Sequence, residues 1–245
     1  MNTEIKKLVN TIENDDLKAL AEEMVKTIPD YFYEVPASST GKYHPNYTLG
    51  KGGLLRHTVA VVKILNYLLE VTDEFTSRER DLLRIAAIMH DTRKSGSQRE
   101  FEVNSYSRFE HPLLAAAQIR RFKNREYNDV EVERIAKVVE CHMGKWNTSE
   151  YTDLVLPVPQ DKFQTMLHQA DYLASRKDIE IQFTDYMPEK EKTVNRDIVI
   201  FPFGKYKGQG INEIAVNDRQ YLEWVLSNMT LRDNLRKAVE DALMD

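Results

Sequence analysis

Residues 81–94 read DLLRIAAIMHDTRK. Leu82, Ile85, Ala86 and Met89 recur at helical spacing and make one apolar face. The run predicts a buried helix that ends in His90-Asp91. Such an end sets an imidazole beside a carboxylate where packing gives way to a cavity. Neutral imidazole and ionised carboxylate together hold Mn, Fe, Zn or Ni in mixed N/O sites. A lone His-Asp pair also arises by chance or as a helix cap, so its meaning depends on partners elsewhere in the chain.

The chain of 245 residues is 42% hydrophobic and 30% charged, which suits one good-sized domain with a small appendage. No apolar stretch approaches a bilayer span, and MNTEIKKLVN lacks a signal-peptide core. One cysteine excludes an internal disulfide framework and fits a reducing compartment. The expectation is a cytoplasmic protein with no membrane partner. A net charge of -5 argues against a broad nucleic-acid-coating surface but leaves room for a local basic patch.

Working outward, Ile5 to Ile28 shows helical periodicity broken at Asn14-Asp15-Asp16, which predicts two short packing helices or a kinked one. Residues 31–53 are rich in Pro, Gly, Ser and Thr and predict a long loop. Its Gly41-Lys42 is not followed by Ser or Thr, so it is no Walker loop. Lys42 and His44 on this loop are either solvent-facing or part of a lid that offers donors to an anion. Gly52-Gly53 opens the next helix, with His57 in its first turn. Ser77 is the expected cap of the helix that ends at His90.

Arg93, Lys94 and Arg99 follow the pair and are candidate phosphate contacts, Lys94 foremost. They read equally as solvated charges or as partners of the helix dipole. His111 precedes Pro112 at a helix start, and His142 closes the periodic run 127–143. Cys141 reads as a small buried hydrophobe. Asp171 lies within the apolar stripe of 161–181, where an unpaired carboxylate is expensive. His168, one turn away, is its expected orienting partner or a core histidine. His57, His90, Asp91, His111, His142 and Asp171 thus sit at helix ends or on apolar faces. Converging, they supply enough N/O donors for one metal with open positions, or two bridged by a carboxylate.

The tail changes character. DIVIFPF at 197–203 is the clearest β-type run, GKYKGQG a hairpin candidate, and two helices are expected at about 218–228 and 231–244. A boundary is placed near residue 190, giving units 1–190 and 191–245. The expected class is mainly α: a helical bundle with a small α+β appendage, a β-hairpin plus two helices.

The order GGLLRHT, MHDTRK, FEHPLLAAA, VECHMGKW and LHQADYLASR resembles the HD-domain metal-dependent phosphohydrolase superfamily across residues 35–180. The phrasing is most similar to the HD domain of bacterial 3′–5′ exoribonucleases and of phage HD proteins. The chain lacks the exoribonucleases' N-terminal nucleic-acid-binding barrel. Arg93 stands where many relatives carry Gly. FPFGKYKGQGINEI…YLEWVL resembles a C-terminal module of some DEDD-type exonucleases. A basic, aromatic hairpin there fits contact with single-stranded nucleic acid.

The resemblance implies an HD-type helical fold and one or two divalent ions (Mn, Fe, Ni, Mg or Zn, with Mn or Fe favoured). His57, His90, Asp91 and Asp171 would hold the first, and Asp91, His111 and His142 the second. It implies hydrolysis of a phosphoester in a nucleotide or a nucleic-acid 3′ end by metal-activated water. Asp91, Lys94 and His44 would be the catalytic residues. Lys94, Lys145, Arg176, Arg93 and Lys42 would contact substrate. The alternative is a non-catalytic nucleotide- or partner-binding module on the same fold.

Overall fold

A computed structural model describes residues 2–38, 41, 44–96, 107–150, 152–179, 201–229, 231 and 233–244. The chain divides into two compact units, residues 1–186 and 187–245. Every element named below is α or 3-10 helical; no named strand occurs among the described residues.

The first unit holds α1 (Thr3–Val9), α2 (Asp15–Val25), α3 (Gly53–Glu70), α4 (Ser77–Met89), α5 (His111–Arg120), α6 (Asp129–Glu140) and α7 (Lys162–Ala174). Helix α3 is packed by α1, α4 and α7, while α6 joins α5 to α4 and α7. Their apolar faces meet in one core that includes Leu54, Leu65, Leu83, Ile85, Ile135 and Leu167, each almost wholly buried. Each such side chain contributes roughly 1.5–3 kcal/mol.

The break between α1 and α2 is fixed from outside. Asp81, fully buried on α4, accepts the backbone N–H groups of Glu13 and Asn14 at 3.0 and 2.8 Å and pairs with Arg84 at 2.7 Å. A buried carboxylate satisfied in this way locks the start of α2 to α4. Thr76, not Ser77, caps α4. Its hydroxyl accepts from the Glu79 N–H, and the Glu79 carboxylate accepts from the Thr76 N–H. That reciprocal capping box satisfies two orphan donors, which is why the helix begins one residue after the threonine.

In the second unit the expected hairpin is not found. Residues 197–200 lie outside the described residues, and Phe201 to Phe203 form no strand. Pro202 has no N–H to offer a ladder. Gly204–Tyr206 is a 3-10 turn, closed where the Phe201 N–H donates to Gln209 and the Gly208 N–H donates to Phe201, each at 2.8 Å. Among the described residues three helices follow instead of two: α8 (Ile211–Asn217), α9 (Arg219–Asn228) and α10 (Asp233–Met244). Seven-residue α8 is too short to show a periodicity. Phe201, Ile211, Ile214, Leu222, Val225 and Val239 build this unit's own core.

Candidate metal centre

The helix ends of the first unit deliver their polar residues to one point. His57 lies in the second turn of α3, one turn deeper than expected, and is 1% exposed. His90 is the C-cap of α4, with Asp91 next. His111 opens α5, His142 lies just beyond the C-cap of α6, and Asp171 lies in the last turn of α7.

Asp91 sits between two pairs of histidines. Its Oδ1 lies 3.0 Å from His111 Nε2 and 3.4 Å from His142 Nε2. Its Oδ2 lies 3.7 Å from His57 Nε2 and 3.6 Å from His90 Nε2. Asp171 closes the second pair: its Oδ1 is 2.9 Å from His57 Nε2 and 3.8 Å from His90 Nε2. Two groups therefore have donor atoms close enough to share an ion, His57-His90-Asp91 and Asp91-His111-His142.

Three of the rings are aimed by the same device. His90 Nδ1 meets the Ala87 carbonyl at 2.8 Å, His111 Nδ1 meets Arg108 at 2.6 Å, and His142 Nδ1 meets Val139 at 2.8 Å. A carbonyl only accepts, so each ring carries a proton on Nδ1. Each Nε2 is left as the inward-facing donor, as metal-ligating histidines require. His90 Nε2 and Asp91 Oδ1 are buried without a hydrogen-bond partner. Buried acceptors left without a partner are costly unless something else satisfies their lone pairs. The donor set and its unmet atoms fit divalent cations.

Burial would raise the Asp91 carboxyl's pKa, but Lys94 and the surrounding histidines outweigh it and hold it well below the usual range. Asp171 is likewise held low, its burial outweighed by His57 and its neighbours. Burial pushes His90 down to about 4 and lowers His111. His142 goes the other way: burial would lower it, but the Asp91 carboxylate raises it. His111 and His142 face each other through Nε2 at 3.2 Å.

Of the remaining sequence candidates, Lys94 reaches the centre, with Nζ 2.7 Å from Asp91 Oδ2. The His44 ring lies 6.0 Å from the His57 ring, and burial lowers its pKa to about 4. It is neutral near pH 7 and suits hydrogen bonding better than proton donation. Arg93 turns away, its guanidinium donating to the Thr27 carbonyl at 3.0 Å. Lys145 and Arg176 lie over the rings of Trp146 and Tyr172, respectively. Lys42 and Arg99 lie outside the described residues. His168 does not orient Asp171; its Nδ1 meets the His142 carbonyl at 2.8 Å.

Tyr31 braces the turn beside the centre. Its hydroxyl donates to the Gly96 carbonyl at 2.7 Å and accepts from the Ser95 N–H at 3.3 Å, which fixes the turn that follows His90-Asp91. Only its place in an aromatic Asp-Tyr-Phe-Tyr run hinted at such a role.

The HD-domain family model matches residues 54–176, from the start of α3 to just past α7. The chain belongs to the HD-domain family. Every histidine and aspartate of the centre falls within the matched span, and HD domains are generally metal-dependent hydrolases that bind divalent cations. A second model, exodeoxyribonuclease X-like C-terminal, matches residues 201–229, from Phe201 to the end of α9. Neither a curated protein nor a solved structure matched the chain significantly. Among the described residues, no helix of this HD protein is long and apolar enough to cross a membrane.

Proposed function

We propose that this HD protein is a phosphohydrolase that opens a phosphoester of a nucleotide or a nucleic-acid 3′ end, with two divalent cations held on either side of Asp91. The observation that carries this reading is the division of the Asp91 carboxylate, one oxygen toward His111 and His142, the other toward His57 and His90. A carboxylate so divided suits a bridge between two ions. Asp171 would complete the His57-His90 side. Bound divalent ions would supply a nucleophilic water and neutralise charge on the phosphoryl group.

The chain's own residues set the remaining conditions. The carbonyls of Ala87, Arg108 and Val139 keep the imidazoles in one tautomer. Lys94 compensates Asp91 within the centre and is near enough to turn to a substrate phosphate. Neutral His44 would donate a hydrogen bond to the same phosphate. Likeness of the second unit to an exodeoxyribonuclease X-like C-terminus supports a nucleic-acid substrate over other phosphoesters.

The test is metal content together with turnover. Purified protein loaded with Mn²⁺ is expected to hydrolyse a generic phosphodiester and members of a nucleotide and oligonucleotide panel. Asp91→Ala is expected to lose metal and hydrolysis together. Hydrolysis that persists in Asp91→Ala would overturn the assignment. Salt separates the substrates: a polymer held through several phosphates loses affinity steeply with added salt, whereas a mononucleotide does not.

A further inference from the structure

Beside the centre lies an aromatic pair with no part in the hydrolysis itself. Trp146 and Tyr172 stack with ring centroids 5.3 Å apart and an interplanar angle of 18°. Trp146 belongs to the loop after α6 and is 42% exposed. Each ring carries its own cation. Lys145 Nζ is 5.0 Å from the Trp146 centroid, and the Arg176 guanidinium is 4.6 Å from the Tyr172 centroid. Arg176 Nε is buried without a hydrogen-bond partner.

This stack is tied to the centre through the backbone. Tyr172 is the residue after Asp171, so their Cα atoms are about 3.8 Å apart. His168, which holds the His142 carbonyl, has its ring 6.1 Å from Trp146 and 6.4 Å from Tyr172. A stack in this position is built from the same two segments that present His142 and Asp171.

We propose that the Trp146–Tyr172 stack, with Lys145 and Arg176, is a subsite that receives an unpaired base of single-stranded nucleic acid and the phosphates on either side of it. This rests on the phosphohydrolase reading and gives its substrate class. An exposed indole offers a flat apolar face, and every base has a matching π-face. A base within a duplex has both faces already covered, so the subsite selects a single strand. Two cations, one per ring, match the two phosphates that flank an internal nucleotide. The Arg176 guanidinium supplies a planar charged donor to the phosphate beside Tyr172. Lys145 is a flexible side chain on an exposed ring, so a base displaces it from the indole while its charge stays with the phosphate.

The test reads binding rather than turnover. The chain has two tryptophans, and Trp224→Phe in the full chain leaves Trp146 as the sole reporter. In EDTA, which prevents cleavage, a 12-residue oligothymidylate is titrated against an abasic strand of equal length. The oligothymidylate is expected to quench Trp146 fluorescence and to bind about tenfold or more tighter than the abasic strand. Followed by fluorescence anisotropy of end-labelled strands, Trp146→Ala is expected to remove that preference and Trp146→Phe to keep most of it.

Equal affinity for the two strands, or absence of quenching by either, would overturn the subsite; neither result needs a variant at Trp146. Cleavage of the same oligothymidylate with added Mn²⁺ is scored separately. Quenching with the expected preference but no cleavage would end the hydrolase reading and leave the subsite standing. Cleavage with no base preference would do the reverse.

Discussion

Lys94 Nζ stands 2.7 Å from Asp91 Oδ2, the oxygen that also faces His57 and His90. Asp91 is 1% exposed and Lys94 only 14%. The lysine therefore supplies, in the metal-free protein, part of the positive charge that cations would bring. Removing one partner of a buried ion pair leaves the other charge uncompensated and costs about 3 kcal/mol or more. Lys94→Met is expected to lower the melting temperature of the metal-free protein markedly, and added Mn²⁺ to restore much of the loss. A melting temperature unchanged by the substitution would show that Asp91 does not depend on this cation.

The buried histidines set a pH dependence. Burial lowers His90 and His44 to about 4, against 6.5 for a free imidazole. Their contribution to stability is complete above about pH 6.5 and is lost as pH falls toward 4, because only the unfolded chain takes up the protons in that window. For His90 the slope is about 1.4 kcal/mol per pH unit. His142, raised by Asp91, works in the opposite sense, losing its contribution as pH rises through its folded value. Asp91 and Asp171, both lowered, lose theirs as pH falls from the unfolded carboxylate value of 3.8 toward their folded values. His111 is lowered as well, so three histidines outweigh one and urea midpoints measured in EDTA are expected to fall from pH 6.5 to 4. A flat or rising profile would contradict the neutral assignment of His90 and His44.

Gly144 is a second sensitive point. Its φ is +57°, and a Cβ there would stand 2.1 Å from the His168 ring. Gly144→Ala must both strain the backbone and displace the imidazole that holds the His142 carbonyl. The variant is expected to lose about 1–3 kcal/mol of stability. It is also expected to bind metal roughly 10–100-fold more weakly, since loss of an outer orienting partner costs that much. Isothermal titration with Mn²⁺ measures the second effect. Unchanged affinity would separate His168 from the centre.

Arg93 marks a place where residue type misled. Arg93 and Lys94 both follow His90-Asp91 as candidate phosphate contacts, yet of these two only Lys94 reaches the centre. Arg93 donates to the Thr27 carbonyl behind it. Arg93→Gln is therefore expected to change stability more than KM, and an increase in KM with stability unchanged would reverse that placement.

The six centre residues were legible because apolar periodicity exposes a polar residue that has no business on a core face. His57, His90 and Asp171 break such stripes. The aiming of the rings was not legible, since the carbonyls of Ala87, Arg108 and Val139 belong to the backbone and leave no trace in side-chain identity. Asp81 shows that a buried carboxylate in this unit need not belong to the centre: it is fully buried on α4 and tied to Glu13 and Asn14 far along the chain. His168 was assigned by sequence spacing to Asp171, whereas the loop of Gly144 brings the His142 carbonyl to it. In the tail, β-type residue preference at 201–203 lost to Pro202 and to the tight turn through Gly204 and Gly208, both at positive φ.

Anomalous diffraction from crystals of the Mn²⁺-loaded protein tests the central claim most directly. Two peaks are expected, one beside each oxygen of the Asp91 carboxylate, the first among His57, His90 and Asp171 and the second between His111 and His142. Peaks elsewhere, or no density at Asp91 under saturating Mn²⁺, would contradict it.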